Sequence, residues 1–143
     1  MRQAEGVPVT LRTIIDDNIP SRLELVSGFI AAAVKKLEAL GLDAAAAFDL
    51  KLCLHEAVFN AVKHGNKQDS SLVVHVVVKM GSEGLFLEIT DQGQGFDFSV
   101  IPDPTTEENI GKYHGRGIYL IKSMMDTVTF SNEGRTIKMF KRL

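Results

Sequence analysis

Hydrophobic positions with helical spacing occupy two stretches in the first half of the chain. After Ser21, apolar residues recur every three or four positions as far as Gly41, which predicts an amphipathic helix. Ser21, with a glutamate three residues later, has the pattern of a helix N-cap, and Gly41 is typical of a helix end. A second helix is predicted from Asp43 to about His64, with Gly65 as a left-handed cap.

Runs rich in β-branched residues surround these helices and predict strands. The predicted strands are 7–15, 71–80, 85–91, 127–131 and 135–143. The segment "DDNIPS" is expected to end the first strand, and "GSEG" and "NEG" are expected to form hairpin turns. A short helix is predicted after "GRG". This order of elements indicates an α+β fold, a two-layer sandwich with helices on one face of a mixed sheet.

The segment 97–114 has no periodicity and contains Pro102 and Pro104. An irregular loop of this length inside a compact domain is uncommon and usually functional. The whole chain of 143 residues, 45% of them hydrophobic, is long enough for one domain with a sizeable core, so we expect a single domain over 1–143.

Charge and composition narrow the classes of partner. The net charge of −2 does not favour a nucleic-acid or anionic membrane surface, and no apolar run is long enough to span a bilayer. The N-terminus has no apolar signal segment, so a cytoplasmic protein is expected. The single cysteine, Cys53, lies within a predicted helix and is expected to be a buried, unreactive thiol.

The second predicted helix carries polar residues beside its apolar stripe. Glu56, Asn60 and Lys63 project from one face on successive turns. A solvated helix face with internal pairing would explain them. The alternative is a site for Mg²⁺ and phosphate, because amide oxygens suit Mg²⁺, a carboxylate can accept a proton, and an ammonium can meet a phosphate.

Two glycine-containing stretches offer further candidate sites. In "EITDQGQGFD", Asp91 ends a strand, and Gly93 and Gly95 permit close approach of a ligand, although a simple tight turn would look the same. In "YHGRGIYL", Gly115 and Gly117 precede a helix, where free N–H groups can bind an anion, although a flexible loop is the structural alternative. The spacing matches neither a P-loop nor a dinucleotide-binding motif.

The three stretches occur in the order and spacing of a known family. A helix with Glu-x₃-Asn, a strand ending in Asp-x-Gly-x-Gly, and a long loop closing on Gly-x-Gly together resemble the ATP-binding domain of the GHKL superfamily, with its N box, G1 box, lid and G2 box. The stretches "HEAVFNAVKHGN" and "GRGIYLIKSMMDTVTF" are similar to those of the anti-sigma-factor serine kinases. The resemblance covers about residues 7–141 and implies the Bergerat fold, with an ATP lid at about 97–114.

The resemblance implies roles for individual residues. Glu56 would be the general base, Asn60 a Mg²⁺ ligand, and Asp91 the acceptor for the adenine amino group. Gly93 and Gly95 would make room for the adenine base and for the ATP lid.

Further roles concern the phosphates and the last strand. Gly115 and Gly117 would give backbone N–H groups to the phosphates, Thr136 would lie near the adenine, and Lys63 would touch a phosphate. Relatives often carry an arginine in the lid before the second glycine pair. Here that region offers Lys112 and His114, with Arg116 between the glycines, so the residue that meets the γ-phosphate stays open.

The implied function is an ATP- and Mg²⁺-dependent protein serine/threonine kinase. It would phosphorylate an anti-anti-sigma (STAS-domain) protein, hold a sigma factor inactive, and form a homodimer. A rival from another class is a binding module that uses ATP only to select a partner, although such a module does not need Glu56. The catalytic domain of a histidine kinase is a weaker option, because no helix pair with a phosphoacceptor histidine precedes the N box.

Overall fold

The computed structural model of the chain describes residues 11–94 and 113–143, with the side chains of the second range described from residue 117 onward. Its strands are β1 Leu11–Pro20, β2 Val73–Gly81, β3 Gly84–Thr90, β4 Thr127–Ser131 and β5 Thr136–Arg142, and its helices are α1 Val26–Ala39, α2 Ala44–Asn60 and α3 Tyr113–Met124. The first residues of the predicted first strand, Gly95, Lys112 and most of the predicted lid lie outside the described residues, as do the side chains of His114 and Arg116.

The described strands form one sheet in the order β1-β2-β3-β5-β4, and every pairing in it is antiparallel. The α+β fold is therefore confirmed, but the mixed sheet was a wrong detail for this part of the chain. The crossover through α3 does return the chain parallel to β3. However, β5 lies between β3 and β4 and separates the two parallel strands.

The core lies between one face of this sheet and a layer of three helices. Alternate residues of β2, such as Val74 and Val76, are fully buried, while their neighbours on the other face are partly exposed. In the helical layer, α2 packs against α1 on one side and α3 on the other. Because α2 is central, its Leu50 and Leu54 are completely buried. None of the helices in the described ranges is both long and apolar enough to cross a membrane.

The first strand continues beyond its predicted end, through "DDNIPS" to Pro20. Its polar residues project outward on an edge strand. Among them, Asp16 makes a hydrogen bond or ion pair with His75 on β2, with 2.6 Å between Oδ1 and Nε2. Pro20 is tolerated at the strand end because edge strands leave one row of backbone groups unpaired. Pairing with β2 therefore overrides the local turn signal.

The prediction that Ser21 caps the first helix is wrong. Ser21 is completely buried, and its hydroxyl donates to the backbone oxygen of Leu72 at 2.9 Å, while α1 begins only at Val26 after a 3₁₀ turn. Two other predicted helix ends, at Gly41 and Asp43, are confirmed. Gly41 has φ of 108° after α1, and Asp43 caps α2 by accepting from Ala46 N–H at 2.8 Å.

Helix α2 ends in a π-helical turn, Ala61–Gly65, rather than a left-handed glycine cap. Gly65 does not have a positive φ, whereas Lys67 and Gln68 do, at 53° and 59°. A π turn rotates the following side chains relative to a regular helix and is frequent at functional sites. Gly65 must therefore be glycine for a reason other than its backbone angle.

Candidate functional site

A pocket of about 290 Å³ opens between the C-terminal half of α2, the end of β3, α3 and the start of β5. Its walls are largely aliphatic, and they include Ala57, Ala61, Ile89, Ile118, Ile121 and Ile137. Its polar lining residues are Asn60, His64, Lys67, Asp91 and Arg135. The structure thus brings parts of the N box and the G1 box into one cavity, as the sequence motifs predict.

Asp91 lies half-buried at one end of this pocket, directly after β3. Its backbone N–H donates to Arg135 O at 3.0 Å, and its Oδ1 accepts from Gly93 N–H at 2.8 Å. Burial raises the pKa of this carboxyl, and the Gly93 hydrogen bond and the Arg135 charge oppose that rise. A carboxylate held here can accept a hydrogen bond from a flat, apolar ligand that carries an N–H donor.

Two glycines let the N box and the G1 box touch. A Cβ on Gly65 would lie 2.5 Å from Asp91 Cγ and would collide with Oδ2, so only glycine leaves room for this carboxyl. A Cβ on Gly93 would collide with the backbone oxygen of Gly65. Gly93 is therefore needed for close backbone packing. Gly65 is needed for the same reason, which the sequence pattern does not indicate.

Asn60 lines the pocket on the side toward α3, and Glu56 lies beside it without lining the pocket. Asn60 is 9% exposed, and within the described residues its Oδ1 has no hydrogen-bond partner. A Cβ on Gly117 would lie 2.7 Å from Glu56 Oε2 and 3.1 Å from Asn60 Nδ2. The structure therefore brings Glu56, Asn60 and Gly117 together, with a buried amide oxygen available to a ligand or a hard cation.

Helix α3 begins at Tyr113, earlier than predicted. Gly115 is its third residue, so its N–H is one of the four at the helix start without a helical acceptor. Gly117 is the fifth, and its N–H falls within the helical hydrogen-bond pattern. The described role of Gly117 is close packing against Glu56 and Asn60, whereas Gly115 keeps the predicted capacity to donate to an anion.

The basic residues at the end of α2 differ in placement from the prediction. Lys63 is exposed, and its Nζ lies 5.6 Å from the centre of the Phe59 ring rather than in the pocket lining. Lys67 lines the pocket instead, together with His64. Burial, helped by the charges of Lys63 and Lys67, lowers the pKa of His64, which keeps its imidazole neutral at pH 7. The phosphate role predicted for Lys63 has no support from this geometry.

Thr136 is buried, and its hydroxyl lies 3.0 Å from that of Thr90. Because Ile137 lines the pocket and neighbouring strand residues face opposite ways, Thr136 points away from it. Arg135 occupies the pocket wall in its place, and its Nε donates to Gly93 O at 2.7 Å. The predicted contact of Thr136 with a base is therefore unsupported, and Arg135 is a site residue that the sequence motifs did not reveal.

The family profile of the histidine kinase-like ATPase domain matches residues 19–141 of the chain. This range contains every element that lines the pocket. The chain belongs to the histidine kinase-like ATPase family. This assignment agrees with the antiparallel sheet, the helical layer and the meeting of the N box with the G1 box in one cavity.

Relatives within this family carry a more specific name. The chain is 33% identical over 106 residues to the serine-protein kinase RsbW of Staphylococcus epidermidis, and equally to that of Staphylococcus aureus strain JH9. The aligned part covers 65% of this chain and 64% of each relative. The chain thus spans just under two thirds of the length of these relatives.

Proposed function

We propose that the chain is an ATP- and Mg²⁺-dependent protein serine/threonine kinase that acts on a serine of a protein partner. The observation that carries the proposal is a pocket lined by Asp91 at one end and Asn60 at the other, with Glu56 and Gly117 beside Asn60 but outside the lining. The name of the relatives, serine-protein kinase, supports the same reaction class.

The first end of the pocket fits an adenine ring. Aliphatic walls such as Ile89 and Ile137 suit the faces of a flat base, and Asp91 would accept a hydrogen bond from its exocyclic amine. Arg135 would hold the turn that carries Asp91, through its hydrogen bond to Gly93 O. The neutral His64 beside the base adds a polar edge without adding charge.

The second end fits the phosphates and their metal ion. The buried Asn60 Oδ1, with no partner among the described residues, is the kind of hard oxygen that Mg²⁺ prefers. Lys67 also lines the pocket, and its charge would offset part of the negative charge of the phosphates. Bound ATP would supply the γ-phosphoryl group, a reaction in which the protein contributes mostly positioning and charge neutralisation.

Glu56 would accept the proton of the substrate hydroxyl through its carboxylate. Its Oε2 lies against the Gly117 backbone, where a side chain would crowd it, so Gly117 keeps this carboxylate beside Asn60. A base fixed next to the metal ligand would bring proton removal and charge neutralisation close together.

The partners follow from the resemblance to anti-sigma-factor kinases. The substrate would be an anti-anti-sigma protein of the STAS class, and in its absence the chain, as a homodimer, would sequester a sigma factor. A sigma factor is a cytoplasmic partner, so the proposal places the chain in the cytoplasm. The aligned part covers 64% of the RsbW relatives, so these partners are inferred for the kinase as a class.

The test is incubation of the purified chain with γ-labelled ATP, Mg²⁺ and candidate STAS proteins encoded near its gene. Label is expected on one serine of one partner, and substitution of that serine by alanine should abolish it. ATP binding without transfer to any of these partners would contradict the kinase and favour the nucleotide-dependent binding module.

A further inference from the structure

Asn66, the residue directly after the π turn of α2, is 2% exposed and uses both ends of its side-chain amide. Its Oδ1 accepts from the backbone N–H of Gln92 at 2.7 Å. Its Nδ2 donates to the backbone oxygen of Val73 at 3.0 Å and to Ser21 Oγ at 2.8 Å. A buried amide with this many partners is fixed in one orientation.

Three of these groups close a ring of hydrogen bonds. Asn66 Nδ2 donates to Val73 O, Val73 N–H donates to Gln92 Oε1 at 2.8 Å, and Gln92 N–H donates back to Asn66 Oδ1. The ring joins the end of α2, the first residue of β2 and the turn after β3. The direction of the ring also fixes which atom of each side-chain amide is oxygen. Val73 O can only accept a hydrogen bond, whereas Val73 N–H and Gln92 N–H can only donate one.

The ring acts on the turn that carries Asp91. Gln92 follows Asp91 directly, so holding the Gln92 N–H restricts the backbone on one side of the carboxyl. On the other side, Asp91 N–H donates to Arg135 O, and Arg135 Nε also donates to the backbone oxygen of Gly93, the residue after Gln92. The turn is therefore held from the helical side by Asn66 and from the sheet side by Arg135.

We propose that Asn66 is a positioning residue that sets the place of Asp91 in the pocket and thereby its selectivity for an adenine over a guanine nucleotide. Asn66 itself does not belong to the pocket lining, so it acts through Gln92 and the adjoining carboxyl. The proposal rests on the proposed function, since it assumes that Asp91 recognises adenine.

The chain offers a matched control in Ser21. Ser21 is also completely buried and belongs to the same network, because its hydroxyl accepts from Asn66 and donates to Leu72 O. Removing this hydroxyl costs buried hydrogen bonds but leaves the Asn66–Gln92 bond in place. Ser21→Ala should therefore destabilise the fold without moving Asp91.

The experiment compares wild type with Asn66→Ala, Gln92→Ala and Ser21→Ala at a temperature where all four are folded. Calorimetry gives the affinities for ATP and GTP with Mg²⁺. Hydrogen exchange of the nucleotide-free protein gives the protection of the Gln92 backbone N–H. Gln92 is exposed, so Gln92→Ala should fold readily and removes only the bond from Val73 N–H.

Asn66→Ala is expected to weaken ATP binding about tenfold, to reduce the ratio of ATP to GTP affinity, and to speed exchange of the Gln92 amide. Gln92→Ala should cause a smaller loss in the same direction, and Ser21→Ala should leave the affinity ratio and the Gln92 amide unchanged.

The same ratio of ATP to GTP affinity in wild type and in Asn66→Ala would overturn the positioning role. So would a fall of this ratio in Ser21→Ala as large as that in Asn66→Ala. If Asn66→Ala does not fold, an unchanged ratio in Gln92→Ala overturns it instead. Failure of wild type to prefer ATP would contradict the proposed function itself, so the two failures are distinguishable.

Discussion

The two ends of the pocket are built in opposite ways. At the Asp91 end, the turn that carries the carboxyl is held by protein hydrogen bonds, through Gly93 N–H, Arg135 and the Asn66–Gln92 bond. At the Asn60 end, a buried amide oxygen has no partner among the described residues. One end is held in place by bonds within the protein, and the other keeps a polar group available for a ligand.

This difference matches the tasks proposed for each end. Recognition of a base benefits from preorganisation, because a fixed acceptor loses no entropy on binding. Coordination of a metal ion requires an oxygen that the fold has not already used. Leaving a buried acceptor without a partner costs roughly 1–3 kcal/mol, and a ligand or cation bound to Asn60 Oδ1 would remove that cost.

The largest effect is expected from Glu56→Gln at the open end. Phosphoryl transfer to a partner serine should fall roughly 10²–10⁴-fold, because the amide keeps the size of Glu56 but cannot take a proton. ATP affinity should stay nearly unchanged. Transfer assays beside nucleotide titrations check this, and transfer at the wild-type rate would mean that Glu56 is not the base.

A somewhat smaller effect is expected from Asn60→Ala at the same end. Loss of a direct metal ligand should weaken binding of Mg²⁺·ATP by about 100-fold, since even outer-shell partners of metal ligands are worth 10- to 100-fold. Circular dichroism should show an intact fold. If calorimetry gives the wild-type affinity, Asn60 does not belong to the metal site.

At the rigid end, Gly65→Ala should displace the Asp91 carboxyl, which a new Cβ would overlap. Overpacking of this kind costs about 1–3 kcal/mol, and nucleotide affinity should fall with the displacement. The matched control is Gly28→Ala in α1, where a Cβ meets nothing within 4 Å and alanine should slightly raise helix stability. Equal nucleotide affinity in the two variants would contradict the interlocking of Gly65 with Asp91.

The smallest effect concerns pH. Burial raises the pKa of Asp91 above its ordinary value of 3.8, so the folded protein binds this proton more tightly than the unfolded chain. The favourable contribution of the Asp91 carboxyl to folding stability is present below pH 3.8 and is lost as pH rises through the folded-state pKa. Asp91→Asn removes this loss, so its melting temperature relative to wild type should increase from pH 4 to pH 7. A constant difference would mean that burial does not control the Asp91 carboxyl.

The sequence predicted local features well and long-range ones poorly. Gly41 and the Asp43 cap depend on neighbours a few residues away, and both were confirmed. Ser21 has an equally good local cap pattern, but its partner is Leu72, 51 positions later, and pairing of β1 with β2 decides its place. No pattern of neighbours contains that information.

The candidate site shows the same limit. Asp91 and Asn60 stand within recognisable motifs, and the structure places both in one pocket. Thr136 is the first residue of β5, and its register with β3 pairs it with Thr90 on the face away from the pocket, whereas Arg135 precedes the strand and lines the pocket. Gly65 looked like a helix end, whereas its role depends on contact with a carboxylate from another strand.

The division of labour between the two ends can be measured directly by calorimetry with two ligands and two variants. Adenosine probes the Asp91 end alone, and Mg²⁺·ATP probes both ends. Asp91→Asn should weaken both ligands by the same factor, equivalent to roughly 1.5–3 kcal/mol. Asn60→Ala should weaken Mg²⁺·ATP and leave adenosine unchanged. If Asn60→Ala weakens adenosine as much as Mg²⁺·ATP, or Asp91→Asn leaves adenosine binding intact, the two-ended account of this pocket is wrong.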